Sequence, residues 1–185
     1  ILFDERRLEL RDWHQYALSE EPERRGSRSW GNLVARAVVI ATLRDRATGA
    51  EFVAVNTHFD HLSARSRLRS AEDVRQRIAR LRLPAIVTAD FNAPERSPAV
   101  RRLLADGTLV DAWQAASARL TPAWGTFPNY TRPRVGTKRI DGILVTTDVE
   151  VARAAVNASR FDGRWPSDHM PVQAVVRLPG GEDPA

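Results

Sequence analysis

Residues 84–92 read Pro84-Ala85-Ile86-Val87-Thr88-Ala89-Asp90-Phe91-Asn92, a proline stop, five mostly apolar residues and then an abrupt polar turn. A run this short and this apolar suits a strand covered on both faces, as in the inner part of an α/β sheet. Immediately upstream, Leu68, Ala71, Val74, Ile78 and Leu81 keep helical spacing while arginines occupy the other positions. Ser63 is placed to cap that helix and Pro84 to end it. Downstream, Ser97-Pro98 combines a cap with a first-turn proline, and Gly107 lies just past the expected end of a second helix.

Further out, Leu33 to Leu43 and Glu51 to Asn56 read as strands joined by a hairpin loop at Asp45-Arg46-Ala47-Thr48-Gly49. Ile140 to Val145, Val149 to Val156 and Val172 to Val176 complete the strands, while residues 19–33 and 121–138 read as loops. Mixed strands with two helices predict one layered α/β domain over residues 1–178, and the tail 179–185 is expected to be disordered.

Four polar signals stand where apolar runs end or begin: Asn56-Thr57-His58-Phe59-Asp60-His61, Asp90-Phe91-Asn92, Arg139-Ile140-Asp141 and Ser167-Asp168-His169. Three of the four histidines fall within them. Ligand sites in α/β proteins gather beyond strand ends, so the four signals can share a cleft. Each alone is an ordinary turn former or cap; in combination they point to chemistry.

The composition fits that reading. With 185 residues, 43% hydrophobic and 28% charged, the chain is an ordinary globular size, and no run approaches a membrane span. The absence of cysteine removes disulfides, thiolate zinc sites and cysteine nucleophiles. A net charge of +5, carried almost wholly by arginine, suits an anionic substrate but falls short of a dedicated nucleic-acid binder. There is no targeting signal, so the sequence assigns no compartment. No Gly-rich phosphate loop of the dinucleotide or P-loop type is present.

The series Asn56-Thr57-His58, Thr88-Ala89-Asp90-Phe91-Asn92, Arg139-Ile140-Asp141 and Ser167-Asp168-His169 resembles, in order and spacing, the motifs of the endonuclease/exonuclease/phosphatase superfamily, the deoxyribonuclease-I-like fold. The resemblance implies a two-sheet α/β sandwich with helices on the outer faces and metal-dependent hydrolysis of phosphoesters. Such chemistry needs an activated water, charge neutralisation on the phosphate and help for the leaving oxygen. By resemblance Asp90 positions or deprotonates the water, Asn92 donates to phosphate and His169 donates to a phosphate oxygen. Asp168 fixes the His169 tautomer or binds the metal, and His58 is a second imidazole supported by Asp141. Arg36, His61, Asn56 and Phe127 are candidate substrate contacts, and Mg²⁺ or Mn²⁺ is the implied ion.

Two departures qualify the resemblance. Ala89 stands where glycine is usual. The family's principal metal-binding glutamate, on an early strand, has no counterpart, because Glu5, Glu9, Glu20, Glu21 and Glu23 lie in the wrong context. The chain is therefore expected to lack roughly the first third of the fold, and to need an N-terminal segment or a separate chain to complete it.

Two other readings follow from the residues. Asn56-x-His58-x-Asp60-His61 imitates the zinc motif of metallo-β-lactamase-like hydrolases, and a chain without the glutamate can be an inactive fold remnant that binds a partner. For the substrate, Arg132, Arg134, Lys138 and Arg139 beside Trp124 and Tyr130 suit either a nucleic acid or a small phosphate pocket. Thr126-Phe127 resembles a loop that closes over small substrates, which tips the expectation toward a small phosphoester.

Overall fold

A computed structural model of the chain describes residues 1–180. In chain order the elements are β1 (Leu8–Ala17), β2 (Ala37–Asp45), β3 (Glu51–His58), α1 (Ala64–Ile78), β4 (Ala85–Asp90) and α2 (Pro98–Leu103). There follow β5 (Leu109–Asp111), α3 (Ala112–Ala115), β6 (Ala118–Arg119), β7 (Asp141–Thr146), β8 (Glu150–Val156) and β9 (Val172–Arg177). They form a six-stranded sheet in the order β1-β2-β3-β4-β7-β5 and a three-stranded sheet in the order β6-β8-β9.

The run at 85–89 is an inner strand as expected, parallel to β3 and antiparallel to β7. Parallel pairing requires a crossover, and α1 supplies it. The Ser63 hydroxyl accepts from the Ser66 amide to cap α1, and the Ser97 hydroxyl accepts from the Val100 amide to cap α2. Ala71, Val74 and Ile78 of α1 pack with Ala99, Val100 and Leu103 of α2 against Val53, Val55, Ala85 and Val87, forming the main core on the outer face of the large sheet. A second core closes the space between the sheets, where Val145, Ile86 and Ile143 meet Val151, Ala174 and Val176. This is the two-sheet mixed α/β arrangement that the motif series implied.

Several expectations shift. The strand read from Leu33 begins at Ala37, because Leu33 and Val34 are solvent-exposed loop residues. β1 was not visible in the sequence: its middle, Leu10 to Gln15, is exposed, so LELRDWHQYA shows no apolar alternation to read. The expected disorder of 179–185 falls, from residue 181 onward, outside the described residues. Among the described residues no helix is long and apolar enough to cross a membrane.

Candidate active site

Backbone register builds the site. His58 ends β3 directly opposite Asp90, which ends β4, and Asp90 lies directly opposite Asp141, which begins β7. Neighbouring strands run about 4.8 Å apart, so these three form a row across one end of the sheet. Alternation sends Val55, Thr57, Val87 and Ala89 toward the helices, and leaves Asn56, His58, Thr88 and Asp90 on the opposite face. His169 joins from the segment leading into β9, so the site draws on both sheets.

The ring of His169 meets Asp141, with Nδ1 2.9 Å from Oδ2. A carboxylate partner fixes Nδ1 as the protonated nitrogen and turns Nε2 outward. His58 Nε2 faces Asp90 Oδ2 at 3.3 Å. The pairing therefore differs from the expectation that Asp141 supports His58 and Asp168 supports His169. Asp90, not Asp141, is the strand neighbour of His58, and Asp168 directs its side chain to the Ser167 hydroxyl.

Charge follows from these contacts. Burial pushes the Asp141 carboxyl above the usual carboxylate range, and the nearby Asp90 charge adds to this, against hydrogen bonds from His169 and Thr126. Burial works against the His169 imidazolium, yet the hydrogen bond and charge of Asp141, with Asp90 and Asp168, outweigh it and raise its pKa. Burial and then the Arg36 guanidinium pull His58 the other way, below an ordinary histidine, despite Asp90. In metal-free buffer, NMR of the imidazole nitrogens is expected to show His169 titrating at higher pH than His58. Asp141→Asn removes the anionic acceptor, so the His169 titration should move to lower pH; a curve that stays in place would refute the pairing.

The Asp90 and Asp141 carboxylates and the His169 imidazole each offer a ligand atom, all within 4.8 Å of one another. Among the described residues this group contains no glutamate and does not include Asp168, the expected ligand. Its oxygen-rich donors and the mutual repulsion of its two carboxylates fit a hard divalent cation.

The remaining candidates are placed as follows. The Asn92 amide spends one N–H on the Phe59 carbonyl at 2.9 Å, leaving a second donor, and its backbone N–H donates to Asp90 Oδ1 at 2.7 Å. Asn56 donates to the Thr88 hydroxyl at 2.9 Å. Arg36 Nη2 meets His61 Nδ1 at 3.2 Å, forming a cationic rim beside His58. Phe127 packs against the His169 ring with centroids 4.7 Å apart.

Two sequence readings fail here. Asp60 is fully buried and its Oδ1 accepts from the Leu62 and Ser63 amides, which builds the turn into α1. Among the described residues Asp60, His58 and His61 form no group of converging ligand atoms, so the zinc-hydrolase motif is only a likeness of letters. Arg139, expected on the substrate rim, is 7% exposed, paired with Asp111 at 2.8 Å and stacked over Trp113.

Thr126 was underrated. Its buried hydroxyl accepts from the Ile140 and Asp141 amides at 2.9 and 3.0 Å, and its carbonyl accepts from Met170 N–H at 2.8 Å. One residue, through its hydroxyl and its carbonyl, thus ties the Asp141 segment to the His169 segment. Gly125 before it permits this, since a Cβ there would lie 2.0 Å from the Thr137 hydroxyl. Both contacts are remote in sequence, so only the Gly-Thr-Phe composition hinted at them.

Solved structures show the same architecture. The chain is similar to the mannosyl-6-phosphatase of Bacteroides thetaiotaomicron VPI-5482, at 27% identity and a TM-score of 0.89 over 95% of this chain and 69% of that one. An endonuclease/exonuclease/phosphatase protein from Bacteroides vulgatus is 31% identical, with a TM-score of 0.87 over 95% of this chain and 68% of that one. The human Nocturnin catalytic domain, solved with a bound sulfate anion, shares 18% identity and a TM-score of 0.71 over 95% of this chain and 62% of that one, a likeness of fold alone. Comparison with curated protein sequences gave no match. Residues 6–169 match the profile of the Endonuclease/Exonuclease/phosphatase family, and the chain belongs to that family.

Proposed function

We propose that this chain hydrolyses phosphoesters, using Asp90 to orient and deprotonate the attacking water. The observation that carries this is the convergence of Asp90, Asp141 and His169 within 4.8 Å, with His58 against Asp90. Asp90 is part-exposed and its Oδ2 faces His58, so a water lying against the pair meets a carboxylate acceptor and an imidazole whose charged form burial and Arg36 disfavour. His169, oriented by Asp141 and favoured in its charged form, presents Nε2 to a phosphate oxygen. The second N–H of Asn92 and the Arg36–His61 rim supply further donors to an anion. The Asp90 and Asp141 carboxylates would hold Mg²⁺ or Mn²⁺, leaving His169 to the phosphate; the ion when bound neutralises phosphate charge and lowers the pKa of bound water. Similarity to a mannosyl-6-phosphatase supports a small phosphomonoester as the substrate type.

Inorganic phosphate release from a panel of sugar phosphates and nucleotides tests this. Turnover should require Mg²⁺ or Mn²⁺ and vanish in EDTA. One observation favours a second reading, a phosphate-binding domain without turnover: no glutamate joins the acid–histidine group among the described residues. Phosphoester binding with no release under any divalent ion would select that reading and reject the first.

A further inference from the structure

Beside the acid–histidine group lies a second feature that hydrolysis itself does not use. Tyr130, Thr131, Arg132, Arg160 and Trp165 line a cleft of about 410 Å³. It continues, through Thr131 and Arg132, into a groove of about 560 Å³ lined also by Trp124, Pro133, Arg134 and Val135. Asn129 and Tyr130 occupy the left-handed region, at φ 52° and 59°, in a turn closed by the Thr131 amide and hydroxyl on the Pro128 carbonyl. That conformation is rare for an aromatic residue. Here it holds the Tyr130 ring 61% exposed at the edge of the cleft instead of in the core. Across the cleft the Arg160 guanidinium lies over the Trp165 ring at 5.2 Å.

The cleft is tied to the catalytic side chains. The Asn129 N–H donates to the Asp168 carbonyl at 3.1 Å, and Phe127 packs on His169. Tyr130 follows that anchor by one residue, and Trp165 precedes Asp168 by three. The cleft lining thus follows directly, along the chain, on the residues that surround His169.

The lining selects among substituents. A bare sugar presents many hydroxyl donors and calls for carboxylate or amide acceptors, yet neither cavity is lined by Asp, Glu, Asn or Gln. Arg132, Arg134 and Arg160 among the lining residues favour a ligand that carries negative charge. The exposed Tyr130 ring, beside the part-buried Trp165 and Trp124 and interleaved arginines, suits a flat π-system joined to negative charge, the chemistry of a nucleobase next to phosphate. We propose that this cleft seats the base of a nucleotide whose phosphate occupies the Asp90–Asp141–His169 site. The proposal rests on the phosphoester reading above, and its shared chemistry covers both a free mononucleotide and the end of a single-stranded oligonucleotide.

Binding in EDTA tests it without turnover, using AMP, ribose 5-phosphate and a short fluorescein-labelled oligothymidylate. AMP and ribose 5-phosphate share a phosphoribosyl group and differ by the base. AMP is expected to bind roughly 5- to 150-fold more tightly, the range for stacking one base. Tyr130→Ala should remove most of that advantage and leave ribose 5-phosphate affinity unchanged, while Tyr130→Phe keeps it. Oligothymidylate affinity above that of AMP, falling steeply with salt, would assign the cleft to single strands; AMP at least as tight would assign it to mononucleotides. Equal affinity for AMP and ribose 5-phosphate, or no effect of Tyr130→Ala, overturns the proposal. Phosphate release from ribose 5-phosphate with Mg²⁺, run alongside, separates the two ideas: release with no base preference sinks the cleft alone, and absence of release counts against hydrolysis.

Discussion

Asp90→Asn is expected to lower kcat for phosphoester hydrolysis by roughly 10²- to 10⁴-fold, the usual contribution of a positioned general base, and to leave the fold intact. The substitution is nearly isosteric. An asparagine oxygen can still accept from the Asn92 amide, the 2.7 Å contact that shapes the turn after β4, so the backbone has no reason to move. What disappears is the negative charge on the atom facing His58 and one anionic oxygen of the acid–histidine group. Loss of the base and weaker hold on a divalent ion act in the same direction, so the fall should be larger at limiting Mg²⁺ than at saturating Mg²⁺, where only loss of the base remains. A double variant with His169→Ala should fall far short of the product of the single effects, because residues serving one transition state are not additive. Steady-state kinetics with thermal melts as control decide the matter. An Asp90→Asn enzyme that keeps most of its kcat would remove Asp90 from the water-activating role.

Phe59→Ala should produce the largest stability loss, about 3–5 kcal/mol, read as a melting temperature lower by roughly 6–20 °C. Phe59 is completely buried and meets Phe91 edge to face, with ring centroids 5.6 Å apart. These two residues directly follow His58 and Asp90, so the aromatic pair backs the His58–Asp90–Asp141 row. Their backbones also hold the row: Phe59 N–H donates to the Asp90 carbonyl, and Phe91 N–H to the Ile140 carbonyl. Phe91 packs so closely on Gly142 that a Cβ there would lie 3.0 Å from the ring, leaving no neighbour ready to fill an emptied space. Phe59→Leu should cost distinctly less, since it restores most of the volume. A Phe59→Ala melt within a degree or two of the parent would mean the pair contributes little.

The residues that the sequence made legible are those whose roles are local. The apolar run at 85–89, the serine caps at 63 and 97, and the polar residues closing β3 and β4 are set by neighbours within a few positions. Partnerships between distant segments were not legible. His169 and Asp141 are 28 positions apart and come from different sheets, so nothing in either motif says which acid each histidine takes. Arg139 looked like a surface cation because Lys138 and Arg134 are near in sequence, yet Asp111 and Trp113 draw it inward. β1 escaped notice for the opposite reason: an exposed edge strand needs no apolar pattern, only a partner's backbone.

The ladder positions shared by His58, Asp90 and Asp141 give the large sheet a rigid, three-toothed comb of functional groups, whereas His169 arrives from across a seam between two sheets. Beside the site that seam is fastened by Thr126, whose hydroxyl holds Asp141 and whose carbonyl holds Met170, by the Asn129–Asp168 backbone bond and by the tilted Phe127 ring on His169. Loosening of the seam would pull His169 from Asp141 while every strand stayed paired. Heat or mild denaturant should thus silence the molecule before it melts, so that catalysis gauges how tightly the sheets are clasped rather than how much of the chain is folded.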